Sequence, residues 1–182
     1  MSERRWYTEP ETFIAGAALV VSISAVVVGL YETSLQRHHD RAEVWPRVEI
    51  ATFTSDQGAT VTVENTGIGP AVVKYVTVTV DGKPQRGWPE VLHAWLGATP
   101  AHFGHQTISD HGVRAGDRVQ LVSLPRTDLP PHFWDRVGRI GVTVCYASVF
   151  GEYWTVSTEH LGTKDVWRSV DRCPAQPEGT DF

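Results

Sequence analysis

With 182 residues, 16 basic and 21 acidic side chains and a net charge of −5, the chain has room for one domain and a short appendage. Setting aside the two arginines and three glutamates of the first 31 residues leaves 14 basic and 18 acidic side chains, which argues against nucleic acid as a partner because such binding needs a concentrated basic face. The sequence has no run of five like charges, no low-complexity tract and no repeat of 20 to 50 residues.

Residues 12–31, TFIAGAALVVSISAVVVGLY, carry no charge and are bounded by Glu11 and Glu32. Twenty helical residues at about 1.5 Å each match a hydrocarbon core of roughly 30 Å. Thr8 with Glu11 forms a capping box, Pro10 sits in the first turn, and Trp6, Tyr7 and Tyr31 fall where interfacial aromatics belong. A cleaved signal peptide has a shorter apolar region and a small-residue cleavage site, where this chain has GLYETSLQ. The reading is an N-terminal tail at 1–11 and a transmembrane helix at 12–31 in contact with membrane lipid. Ala15, Ala18, Ser22, Ala25 and Gly29 recur at intervals of three and four, forming one stripe of small side chains. Close backbone approach across small residues drives helix association in lipid, so the stripe predicts a partner transmembrane helix, in a homodimer or another membrane subunit. Arginines flank the span on both sides and do not decide its orientation. Because long domains translocate largely regardless of charge, the N-terminus is assigned to the cytoplasm and the domain to the periplasmic or extracellular side.

Residues 32–45 read as a helical stalk that Pro46 stops. Strand patterns follow at 47–53, 59–65 and 71–80, the last ended by Asp81-Gly82. In the irregular stretch 84–115, Pro89 opens a short helix through Leu96 with Gly97 as its stop, and Gln106 to Ser109 add a strand. Another strand is expected at 117–124, then LPPHFWDRV as a loop with one helical turn, and then two antiparallel strands within 139–157 that break at Phe150-Gly151. The tail 174–182 reads as disordered. About seven short strands without a βαβ rhythm predict a mainly β fold: an Ig-like antiparallel β-sandwich at 46–173 with one or two short helices.

The glycine-rich stretch NTGIGPA at 65–71 lacks the third glycine and the following helix of a dinucleotide fingerprint. With strands on both sides, it reads as a structural turn in which Asn65 bonds the turn backbone, Gly67 and Gly69 permit positive φ, and Pro70 fixes the start of the next strand. The cysteines, Cys145 and Cys173, suggest a disulfide if the domain is exported, two free buried thiols being the cytosolic alternative. His102, His105 and His111 with Asp110 are residue types that can hold zinc, but in a spacing that fits no known template. Ser109-Asp110-His111 has the residue types of a hydrolytic triad, yet neighbours in one extended segment point to opposite faces. Trp88, Trp95 and Trp134 either form an aromatic partner surface or seal the ends of the sandwich.

The stretch VTVENTGIGPAVVKYVTVTVDGKP, residues 61–84, resembles the strand, Asn-x-Gly, Ala, strand, Asp-Gly segment of cell-adhesion-related Ig-like domains of bacterial envelope proteins. That resemblance carries no catalytic residues and implies an extracytoplasmic adhesive or scaffolding sandwich. The sequence thus leads to a membrane-anchored, non-enzymatic binding or scaffolding module without a cofactor. The alternative is an anchored metal-dependent hydrolase using the histidine loop 102–111.

Overall fold

A computed structural model describes residues 10–131 and 133–182, without the side chains of 37–43 and Trp134. Thr8, Trp6 and Tyr7 lie outside the described residues. The chain divides into two compact units, 1–42 and 43–182.

The first unit is helical. Helix α1, Pro10–Glu43, contains a stretch from Pro10 to Gln36 long and apolar enough to cross a membrane, and none of its most apolar window is buried. Phe13, Ile14, Leu19, Val20 and Leu30 are all more than 60% exposed. The hydroxyls of Ser22, Ser24 and Thr33 donate to the carbonyls of Ala18, Val20 and Gly29 one turn back. Their polarity is thereby satisfied inside the helix, as an apolar solvent requires.

The second unit is mainly β. Its elements are β1 (Val48–Ser55), β2 (Gly58–Asn65), β3 (Ala71–Val80), β4 (Lys83–Pro84), α2 (Trp88–Leu96), β5 (Gly104–His105), β6 (Gly112–Val113), β7 (Arg118–Pro125), α3 (Phe133–Val137), β8 (Ile140–Ala147), β9 (Tyr153–Thr158) and β10 (Val166–Val170). They form two antiparallel sheets, ordered β1-β2-β7-β5 and β10-β9-β8-β3-β4, with β6 also paired to β3. The inward faces, Val61 and Val63 of β2 and Leu121 and Leu124 of β7 against Val76 and Val78 of β3 and Val142 and Val144 of β8, belong to one buried cluster. This is a β-sandwich, with period-two burial most regular along β3.

Two bulges keep that period in phase. In AVVKYVTVTV, Val73 and Val76 are both buried although three residues apart, because the register with β8 shifts between Val73 and Tyr75. Lys74 is the extra residue, and its ammonium pairs with Asp110. A matching shift between β2 and β7 lets Leu121 and Val122 both be buried.

Helix α2 begins with Trp88 and Pro89 and ends at Gly97, whose φ of 86° only glycine adopts readily. Trp88, Val91, Leu92 and Trp95 face the core from it. Trp88 and Trp95 are therefore interior residues and form no exposed aromatic surface.

Two expectations are corrected, and one strand is added. Residues 106–109 form no strand: the segment leaves β5 on one sheet and reaches β6 on the other, and Ser109 and Asp110 turn on the way, with Asp110 at φ 60°. Strand β10 lies instead at 166–170, at the outer margin of its sheet, where a strand exposed on both faces shows little alternation. The tail 174–182 is ordered and belongs to the sandwich. Its Gln176 side chain donates to the Val76 carbonyl and accepts from the Val76 N–H at 3.0 Å each, and Phe182 is 1% exposed. A proline- and glycine-containing segment hides this, because side chains, with few backbone ladders, do the holding.

Candidate functional site

Asn65 occupies the end of β2 and is completely buried. Its amide nitrogen donates to the carbonyls of Gly69, at 2.8 Å, and Val113, at 3.0 Å. Its oxygen accepts from the N–H groups of Arg47 and Gly67, each at 3.1 Å. One side chain thus joins the turn, β6 and the segment Val44–Arg47 that leads into β1.

The turn itself is a seat for that lead-in segment. The N–H of Thr66 donates to the Arg47 carbonyl and that of Ile68 to the Trp45 carbonyl. A Cβ on Gly67 would overlap the Arg47 nitrogen and lie 2.5 Å from the Trp45 oxygen, and a Cβ on Gly69 would overlap the Val44 carbonyl. Neither glycine has positive φ. The expected reason for both glycines is therefore corrected: close approach of another backbone segment demands them, not a left-handed conformation. Pro70 is exposed and leads directly into β3.

Around this seat the sandwich end carries apolar side chains in the open. Trp45 is 53% exposed and Ile68 66%; Val149 and Phe150, at the tip of the β8–β9 hairpin, are 57% and 48% exposed. The pairings Val48↔Asn65 and Val72↔Ala147 place all four at the same end. Behind them, Trp154 packs on Trp45 at 6.3 Å and on Tyr146 at 5.9 Å between ring centroids. Tyr146 is buried, which raises its phenol pKa; the Val48 N–H and the Arg47 charge oppose the shift. The sequence signal for this surface was available: Val149-Phe150 stands where a hairpin tip ordinarily carries polar residues.

Side chains of β10 and the residue before it reach across to β1. Asp165 accepts from the Ile50 N–H at 2.7 Å, and Trp167 donates its indole N–H to the Val48 carbonyl at 2.8 Å. Burial raises the Asp165 pKa first, the Ile50 N–H lowers it, and the Glu49 charge raises it further.

Cys145 and Cys173 form a disulfide on the outer face of the β8 sheet, with Cα atoms 5.7 Å apart. Cys145 is fully buried there, and the bond attaches the tail to the middle of the sheet.

The histidine loop is spread between the two sheets. His105 pairs through β5 with β7 and its ring stacks on Phe103, whereas His111 precedes β6 and its Nδ1 lies 2.9 Å from the Ser109 carbonyl. Asp110 is engaged with Lys74, and the Ser109 hydroxyl donates to the Phe182 carbonyl. Among the described residues no three His, Cys, Asp or Glu side chains converge as a metal site, and the Ser109 hydroxyl is directed to the Phe182 carbonyl, His111 meeting only the Ser109 backbone. The geometry lends the anchored-hydrolase alternative no support.

At the opposite end, Thr79, Asp81, Arg139, Thr143, Ser157 and His160 line an open groove of about 540 Å³. Arg139 binds both carboxylate oxygens of Asp81, and that hydrogen bonding lowers the Asp81 pKa and raises that of Arg139. A small apolar void of about 20 Å³ beneath α2 has room for no more than one water. Comparison with protein families, curated proteins and solved structures finds no match to this chain.

Proposed function

We propose that the chain is a single-pass membrane protein with a cytoplasmic N-terminus and an Ig-like sandwich outside. The sandwich serves as a non-enzymatic binding or scaffolding module of a bacterial envelope complex. The observation that carries this reading is the clustering of exposed Trp45, Ile68, Val149 and Phe150 at one end of a sandwich whose other large apolar side chains are mostly buried. Exposed apolar groups gathered on loops mark interaction sites more often than chance decoration. The strand orders β1-β2-β7-β5 and β3-β8-β9 support the Ig-like assignment, since they follow the ABED and CFG sheets of a constant-type immunoglobulin sandwich. In that fold the loops after the second strand and between the last two lie at one end, as 66–70 and 148–152 do here. The disulfide supports an oxidising compartment.

Photo-crosslinking amino acids placed at Ile68 and Phe150 in intact membranes test the proposal. Discrete protein adducts are expected from both positions and none from Asp56, in the β1–β2 turn at the far end. Absence of adducts from 68 and 150, with the protein correctly inserted, would sink it. Topology is tested separately by a cysteine at Lys83, which a membrane-impermeant thiol reagent should label in cells whose envelope admits the reagent but whose inner membrane is intact.

A further inference from the structure

Residues 174–182 lie along the outer margin of β3 and α2 in the manner of a bound peptide. Gln176 acts as the first anchor: its amide makes the two hydrogen bonds that a neighbouring strand would make with Val76. Asp181 forms the second, its N–H donating to the Arg86 carbonyl at 2.7 Å and its carboxylate accepting from the Thr107 hydroxyl at 2.6 Å. Phe182 is the third, 1% exposed and edge-on to Trp88 at 5.6 Å, while its carbonyl accepts from both the N–H and the hydroxyl of Ser109. Between the anchors, Pro177, Glu178 and Gly179 are exposed and form a turn that the Thr180 N–H closes on the Pro177 carbonyl, and the Thr180 hydroxyl accepts from the Gln176 amide at 2.9 Å.

This pattern is that of peptide recognition: an aromatic in a buried slot, backbone-like hydrogen bonds, and an exposed turn between them. The charges agree, since the segment carries Glu178 and Asp181 and no basic residue, and the exposed Arg86 lies beside Asp181. The fit also has a gap. The Trp88 indole N–H, beside Phe182, is buried with no hydrogen-bond partner among the described residues. An occupant that placed an oxygen there would satisfy a donor that the chain's own segment leaves idle.

We infer that the surface formed by β3, Arg86–Trp88 and Thr107–Ser109 is a peptide-binding groove held closed in cis by 174–182. Its partner is an acidic segment of another protein that turns between a glutamine and an Asp-aromatic pair beginning five residues later. The cis segment is tethered at Cys173, so its effective concentration is in the millimolar range and a partner must displace it. This inference concerns a different face from the loop end and is independent of it.

The test uses the full chain in detergent with a protease site inserted between Cys173 and Pro174, so that cleavage spares the disulfide and frees the segment to exchange. A fluorescein-labelled peptide of sequence PAQPEGTDF should bind the cleaved protein saturably and the uncleaved protein not measurably. Its Phe182→Ala form should bind about tenfold or more weakly, and its Gln176→Ala form several-fold more weakly. A peptide with alanine at 177 and 178 but Gly179, Thr180 and the anchors kept should bind within about tenfold of the parent. Loss of near-ultraviolet circular dichroism on cleavage, failure of the labelled peptide to enter, or equal binding of the Phe182→Ala peptide would each overturn the inference. The first of these would make the segment an integral part of the core.

Discussion

Replacing Asn65 by alanine should be among the most damaging single changes in the sandwich, although the residue touches no candidate ligand surface. The substitution removes four hydrogen bonds. Two of them leave the Gly69 and Val113 carbonyls buried without a partner, at about 1 to 3 kcal/mol each. The Arg47 and Gly67 N–H groups are only partly buried, and water can replace much of their loss. A total of about 3 to 5 kcal/mol is expected, a third or more of the stability of an ordinary domain. Urea unfolding of the full chain in non-ionic detergent, followed by tryptophan fluorescence, should show the midpoint falling by about 2 M at a slope near 2 kcal/mol per molar. Asn65→Asp is the discriminating variant: it keeps the shape and the accepting oxygen but turns an oxygen toward two carbonyls. It should be at least as destabilising at neutral pH. A loss below about 1 kcal/mol for alanine, or wild-type stability for aspartate, would refute the account of this residue as the joint between turn, β6 and lead-in segment.

Gly69→Ala should destabilise by about 3 kcal/mol or more, since its methyl would overlap the Val44 carbonyl; a shift under 1 kcal/mol in the same unfolding assay would show that the lead-in segment yields freely. Changing both Cys145 and Cys173 to alanine reopens a loop with a separation of 28 residues and should lower stability by roughly 3 to 4 kcal/mol, read as a difference in urea midpoint against the oxidised protein. Asp165 has a folded-state pKa above its ordinary 3.8, so the stability tied to its protonated form is complete below 3.8 and lost as pH rises through the raised value. Asp165→Asn should flatten the stability profile from about pH 4 upward, and an unchanged slope in that range would contradict the burial argument. Isoleucine at Ser22, Ala25 and Gly29 should abolish co-purification of differently tagged copies, or of another membrane subunit, while isoleucine at Val20, Val27 and Leu30 should not; equal association of both would show the helix to be an anchor only.

What the sequence revealed followed the strength of its periodicities. The charge-free stretch 12–31, the strand pattern at 71–80 and the Pro89-to-Gly97 helix all correspond to elements of the structure, because each is written in burial or in backbone preference. The role of Asn65 as a turn-bonding residue was legible from its type, but its reach to Val113 and Arg47 was not, since both depend on tertiary approach. Gly67 and Gly69 were recognised as special for a conformational reason, whereas the structure requires them for space, a distinction that only a neighbouring backbone can make. Phe182 and Gln176 escaped notice because a lone anchor has no period. Val149 and Phe150 could have been singled out as apolar residues misplaced at a hairpin tip.

The reach of Asp165 and Trp167 across to β1 bears on how the protein behaves when crowded. A strand margin with free N–H and C=O groups is a template for pairing with the next molecule. Here the Val48–Ile50 margin is occupied by two side chains that are not themselves strands and cannot propagate a sheet. On the other sheet the Val76 margin is filled by a glutamine amide, and of the other outer strands β4 and β5 are two residues long each while β10 is five residues long and displays Arg168 to solvent. Molecules confined to a surface meet one another far more often than molecules in bulk solution. A sandwich whose margins are short or plugged in part by side chains can be packed densely there and stay separate, leaving contact between molecules to be decided by the loops and the helix.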